Sequence, residues 1–155
     1  MSEAAEMTFE GVNPIFRVRN VAASIEHYVE TLGFKLQWRD ERSGFACVSR
    51  GRCHLFLCEG DQGHFGTWVW IGAADVEKTF LEYQDHGARI RHPPTNYPWA
   101  LEMQVEDLDG NVLRIGSEPK DNEPWGEWLD MYGDRWLMSP QGEWQPSAVR
   151  LNKTI

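Results

Sequence analysis

The chain has 155 residues, a formal net charge of −9, 41% hydrophobic and 25% charged residues, and eight tryptophans. That length suits one domain with a real core, and the ordinary apolar content excludes a disordered chain. Acidity on this scale disfavours phosphate backbones and anionic membranes and favours cations, and no stretch nears the roughly 20 apolar residues that span a bilayer.

The first dozen residues carry Glu3, Glu6 and Glu10 without Lys or Arg, so they do not look like a signal peptide. Pro14–Arg19 then reads as a strand, followed by a helix from Asn20 whose stripe is Val21, Ile25, Tyr28, Val29 and Leu32. Asn20 is a good N-cap, because its side chain can accept an orphan backbone N–H, and Gly33 stops the helix in the left-handed position. Strand signals follow at Phe34–Arg39, Phe45–Arg50 and Cys53–Glu59, with turns at Ser43-Gly44 and Gly51. Cys47, Cys53 and Cys58 alternate with apolar residues and form no C-x-x-C. They read as strand residues in a reducing, cytoplasmic compartment rather than as nucleophiles or a disulfide framework.

After a link near Gly60–Gly66, Trp68–Ile71 reads as a strand, and a helix starts at the N-cap Asp75 with the stripe Val76, Phe80 and Tyr83 and a stop at Gly87. Ala88–Arg91, Leu101–Glu106 and Val112–Gly116 complete the pattern as strands, the last after the Asp109-Gly110-Asn111 turn. His27 and His86 fall on helix surfaces, and His92 falls in a loop beside Pro93-Pro94. Shifted by about 55 residues, Asn20 falls on Asp75, Ile25 on Phe80 and Tyr28 on Tyr83. The chain therefore repeats one strand–helix–strand–strand–strand unit, in modules of about 13–60 and 66–118 within a domain of 1–119.

Residues 120–155 form a Trp-rich extension of different texture. Asp121–Pro124 reads as a linker, Trp125, Trp128, Leu129 and Tyr132 have weak helical spacing, and Ser139-Pro140-Gln141-Gly142 reads as a turn. The extension is too short for a domain, so its indoles are expected to dock on the main body or a partner subunit, with fraying past Ser147.

The repeated βαβββ unit is the pattern of the vicinal oxygen chelate superfamily. Within it the sequence resembles the bleomycin resistance proteins through Cys53-His54-Leu55-Phe56-Leu57, Thr67-Trp68-Val69-Trp70-Ile71, Tyr97-Pro98-Trp99 and Glu106-Asp107 to Asp109-Gly110-Asn111-Val112. The resemblance implies an α+β fold of two half-barrel sheets in a homodimer with ligand crevices. Pro14 matches the branch in which the first strand is exchanged between subunits. Enzymes of the superfamily hold a divalent metal at four inward positions, which align here with Asn13, Leu55, Trp68 and Arg114. Indole, aliphatic and guanidinium side chains offer a metal no lone pair, so neither a metal nor another cofactor is expected. His54 would face inward only if its strand slipped by one residue.

By the same resemblance Trp38, Phe45, Trp68 and Trp99 match crevice aromatics. Trp70 alternates in phase with Trp68, while Phe56 and Arg114 complete the walls. Core packing competes as a reading and is favoured for Trp70 and Phe56. Glu102, Gln104 and Glu106 share one strand face, read as solvated. The function implied is sequestration of a small aromatic, cationic compound without catalysis. Rival readings are a metal-dependent glyoxalase-, thiol transferase- or dioxygenase-type enzyme, and a fold turned to an unknown metabolite or protein partner.

Overall fold

A computed structural model of the chain describes residues 6–147, and the fraying expected past Ser147 lies outside the described residues. The first module runs β1 (Ile15–Arg17), α1 (Val21–Glu26), one wide π-helical segment (His27–Thr31), β2 (Lys35–Asp40), β3 (Phe45–Arg50) and β4 (Cys53–Cys58). The second repeats it as β5 (Trp68–Gly72), α2 (Val76–Asp85), β6 (Arg89–Asn96), β7 (Leu101–Glu106) and β8 (Val112–Ser117). Both sheets have the same order, β1-β4-β3-β2 and β5-β8-β7-β6. In each the first strand pairs in parallel with the fourth of the same chain, and the other pairs are antiparallel. The fold is α+β with two βαβββ modules.

The repeat extends to the caps. Asn20 accepts from the Ala23 amide at 2.9 Å and Asp75 from the Lys78 amide at 3.1 Å, each satisfying a donor that the first helical turn leaves open. Gly33 and Gly87 end the helical segments at φ of 74° and 73°, a conformation that only glycine adopts freely.

Alternation along the strands sends one row of side chains under the helices. Phe16, Val18, Val48, Leu55, Leu57, Met103, Val105, Leu113 and Ile115 meet Tyr28, Leu32, Val76 and Tyr83 in one core shared by both modules. Each such side chain, fully buried, is worth about 1.5–3 kcal/mol. Buried and half-exposed polar groups join the modules. Tyr28 Oη donates to Asp107 at 2.9 Å, Tyr83 Oη donates to the Leu32 carbonyl at 2.8 Å, and Arg50 reaches Glu82. Asp107 also accepts from Asn111 and from the Asp109 amide; burial nonetheless pushes its carboxyl above the usual range.

Three elements depart from expectation. His92 is buried within β6, which continues through Pro93-Pro94 to Asn96 instead of ending at Arg91. The prolines are tolerated because β6 is an edge strand whose ladder is interrupted around His92. His27 lies in the π-helical segment, where its Nε2 is buried without a partner and burial lowers its pKa. Finally, the extension is not helical. It folds as a three-stranded antiparallel sheet of β9 (Trp128–Leu129), β10 (Arg135–Met138) and β11 (Trp144–Pro146). Turns closed by Gly133 and Gly142, both at positive φ, overrule the weak helical spacing of its tryptophans.

Candidate functional site

The side chains facing away from the helices form a second set of rows. In the first module the in-register row is Ile15, Phe56, Cys47 and Trp38. The repeat places Trp70, Arg114, Gln104 and His92 in the equivalent row of the second module. Trp38 reaches this face because Gln37 is an extra residue between the Leu36 and Trp38 pairings, and a bulge of this kind shifts the side-chain phase. The Trp38 ring then stacks on Phe45 at 5.8 Å and 15°, and both rings contact Phe56. Trp38 is 45% exposed and Phe45 and Phe56 are half-buried, so this is an open aromatic wall and not core.

The second module's face is polar at its centre. Arg114 forms two hydrogen bonds of 2.9 Å with Glu102, whose side chain is 1% exposed. Trp99 Nε1 donates to the same carboxylate. Beside this pair the Trp70 ring lies flat over Gly72 and Gly116; a Cβ on Gly116 would come within 3.2 Å of it. Trp70 is 51% exposed, so Trp70 and Phe56 are both surface rings, contrary to the core reading of them.

The extension lies across this face. Asn96 starts it: its side chain donates to the carbonyls of Lys120 and Glu123 and accepts from the Lys120 amide. Gly126 passes so close to Thr95 that any Cβ would overlap its methyl group. Gln104 donates to the Leu129 carbonyl at 2.9 Å, and Arg91 donates to the carbonyls of Leu129 and Asp130 and to Gln104. Trp128 then sits among Trp68 (6.3 Å), Tyr97 (5.7 Å) and Trp99 (6.0 Å), with the Arg114 guanidinium 4.8 Å over its ring. Tyr97 stacks on Trp99 at 4.9 Å and 4°, and donates its hydroxyl to the Glu127 carbonyl; burial raises its pKa. Trp99, Arg114, Trp128, Asp130, Trp136 and Trp144 line an open cavity of about 590 Å³.

Each expected site residue can now be placed. Trp38, Phe45 and Phe56 form one wall; Trp70, Trp99 and Arg114 belong to the other. Trp68 is half-buried, roofed by Trp128 and by the Arg91 guanidinium 5.2 Å over its ring. One alignment is corrected. Leu55 is fully buried under the helices and its neighbours His54 and Phe56 take the open face, because Leu55 pairs with Val48 in the core row. Asn13 is exposed and precedes the first strand, in step with Ile15 as Trp68 is with Trp70. Glu102 and Gln104 are buried, not solvated, because the extension and Arg114 cover them. The extension's contributors, Trp128, Asp130, Trp136 and Trp144, carried no sequence signal beyond an excess of tryptophans over what the core needs.

The residues present do not suit the divalent metal of the superfamily's enzymes. The centre of the second face holds a guanidinium already paired to the nearest carboxylate, and indoles surround it. Among the described residues no three His, Cys, Asp or Glu side chains converge to hold a metal ion.

The sequence profile of the Glyoxalase/Bleomycin resistance protein/Dioxygenase superfamily matches residues 11–115, both modules. The chain belongs to that superfamily. The superfamily match ends before the extension. Among solved structures, the chain is similar to TnmS3, an antibiotic binding protein from Streptomyces sp. CB03234, with a TM-score of 0.64 at 23% identity over 74% of this chain and 100% of that one. It is also similar to the bleomycin-binding protein of bleomycin-producing Streptomyces verticillus complexed with copper(II)-bleomycin, with a TM-score of 0.60 at 25% identity over 74% and 99%. TioX from Micromonospora sp. ML1 superposes with a TM-score of 0.59 at 20% identity over 70% and 99%. No curated protein matches the chain at a significant level. No helix among the described residues is long and apolar enough to cross a membrane.

Proposed function

We propose that this superfamily member binds and sequesters a small aromatic, cationic compound of the antibiotic kind, without a metal and without transforming it. The observation that carries this reading is the set of accessible rings, Trp38, Phe56 and Trp70, carried beside the Glu102-paired Arg114 on the repeated open-face rows. Trp38, Phe45 and Phe56 make a wall for a flat ring. Trp70, Trp99 and the Arg114–Glu102 pair make a wall with one polar handle. Offset stacking on such rings is worth about 0.5–1.5 kcal/mol per pair beyond the area buried, and indole faces attract cations. Support comes also from the likeness to an antibiotic binding protein and to a bleomycin-binding protein.

In this reading the open wall of the first module is closed by a second copy of the chain, so that the protein works as a homodimer in the cytoplasm. Protection needs no catalytic residue, because a binder in excess lowers the free compound by mass action. The net charge of −9 draws a cation towards the protein at moderate ionic strength.

Calorimetric titration of the full chain with metal-free bleomycin tests the assignment. Saturable binding is expected, weakened about tenfold or more in Trp38→Ala, the loss of one stacked ring in a desolvated crevice. Absence of heat across the micromolar range, or binding indifferent to Trp38, removes bleomycin-type compounds from consideration.

A further inference from the structure

The bulge that turns Trp38 to the open face recurs in the second module. The pairing of β6 with β7 shifts between Ile90 and His92, as that of β2 with β3 shifts between Leu36 and Trp38. His92 therefore holds the place in its row that Trp38 holds in the first module, on the face turned away from the helices. The two positions differ in cover: Trp38 is 45% exposed and His92 only 6%. The extension makes the difference. Gln104, the partner of His92 in the row, donates to the Leu129 carbonyl, and three residues past His92 the Thr95 methyl abuts Gly126.

A covered imidazole is tolerated when neutral and opposed when charged. Burial lowers the pKa of His92, and the hydrogen bond from its Nδ1 to the Pro93 carbonyl at 3.1 Å offsets only part of that. The charges that act on the ring come from β6 and from the extension: Arg91 beside it, and Arg135 and Glu127 above it. Both arginines oppose a proton on His92. The carboxylates of this region are already engaged. Glu127 binds Arg135 at 3.3 Å and the Ser147 hydroxyl at 2.5 Å, Glu106 pairs with Arg91 at 3.4 Å, and Glu102 is held by Arg114. The charged side chains of α2 belong to the opposite side of the sheet, where the core lies.

We propose that His92 is a proton-operated release for the extension, which stays docked over the second module while the ring is neutral and loosens when the ring takes up a proton. Release uncovers Gln104 and Trp68 and parts Trp128 from Trp99, so acid opens the second face. This goes beyond the binding reading and requires no ligand. The sign follows from linkage. The docked ring binds a proton less readily than an open one, whose ordinary value is 6.5, so docking is strongest at neutral and alkaline pH and weakens as the pH falls below that value. One unit below it, the weakening is at most about tenfold.

The test is amide hydrogen exchange of the full chain at about pH 7.5 and about pH 5.5, corrected for the intrinsic rate at each pH. Protection in residues 126–147 is expected to fall several-fold at the lower pH, with β8 and the strands of the first module unchanged. His92→Gln, neutral at both pH values, is expected to remove the step. His27→Gln, which removes the other histidine whose pKa burial lowers, leaves the step in place, because His27 lies in the π-helical segment. Each variant is compared with itself at the two pH values, so a general loss of stability does not imitate the result. Protection of residues 126–147 at the higher pH establishes that a variant is docked, and His92→Met replaces His92→Gln if the latter is not. An extension equally protected at both pH values, an equal step in the docked His92 variant, or a loss spread evenly over both sheets would overturn the proposal.

Discussion

Arg114 illustrates how one side chain sets the chemistry of a whole face. A carboxylate as buried as Glu102 is costly to keep ionised, and its compensation is two guanidinium hydrogen bonds and an indole N–H. Removing the cation alone strands the anion. Arg114→Ala is therefore expected to lower stability by about 3–5 kcal/mol in urea denaturation, whereas Arg114→Met combined with Glu102→Leu regains most of that loss. If the single substitution proved harmless, the pair would not be the structural centre of the second face. The same pair explains why the centre of this face does not suit a metal ion, because the cation that its carboxylate needs is supplied by the protein itself.

At the scale of the element, the two helices are copies with different endings. Both start with a side chain that accepts from the third helical amide, Asn20 on Ala23 and Asp75 on Lys78. Asn20→Ala and Asp75→Ala are each expected to cost about 1 kcal/mol, and the double variant about the sum, since the caps share no partner. Thermal unfolding of the three variants measures this; strong non-additivity would mean that the modules are coupled through their helix starts. The strands show a comparable division. Plain alternation divides β4 and β7 into two rows, but pairing decides which row lies under the helices, and the extra residue Gln37 in β2 reverses the phase at Trp38 and delivers that ring to the open wall.

For the molecule as a whole, the extension turns one of two similar faces into a partly covered one with an open cavity. Its attachment is shared by Asn96, Tyr97 and Gln104 and by Arg91, which holds the carbonyls of Leu129 and Asp130, lies over Trp68 and pairs with Glu106 at 3.4 Å. Hydrogen bonds from a charged donor are worth about 1.5–3 kcal/mol. Arg91→Ala is expected to reduce protection against amide hydrogen exchange by about that much in residues 128–147, and to leave β8 and the strands of the first module unchanged. Uniform loss across both sheets would show that the extension is integral to the core and not docked upon it. The two modules, by contrast, are bound through one shared core and through Tyr28–Asp107 and Arg50–Glu82.

The repeat, the caps, the glycine stops and the helix stripes were legible in the sequence because each depends on residues near one another in the chain. Periodicity and N-cap chemistry act locally, and the aromatic character of Trp38, Phe45, Phe56 and Trp99 needed no coordinates to be noticed. What those signals do not carry is phase and cover. The helix-facing placement of Leu55 follows from strand register against Val48, and the burial of Glu102 and Gln104 follows from segments about 12 and 25 residues away that return to lie over them. Only tertiary packing decided that the last tryptophans join Trp99 around a cavity, since ring contacts between distant segments depend on how sheets stack and not on spacing along the chain.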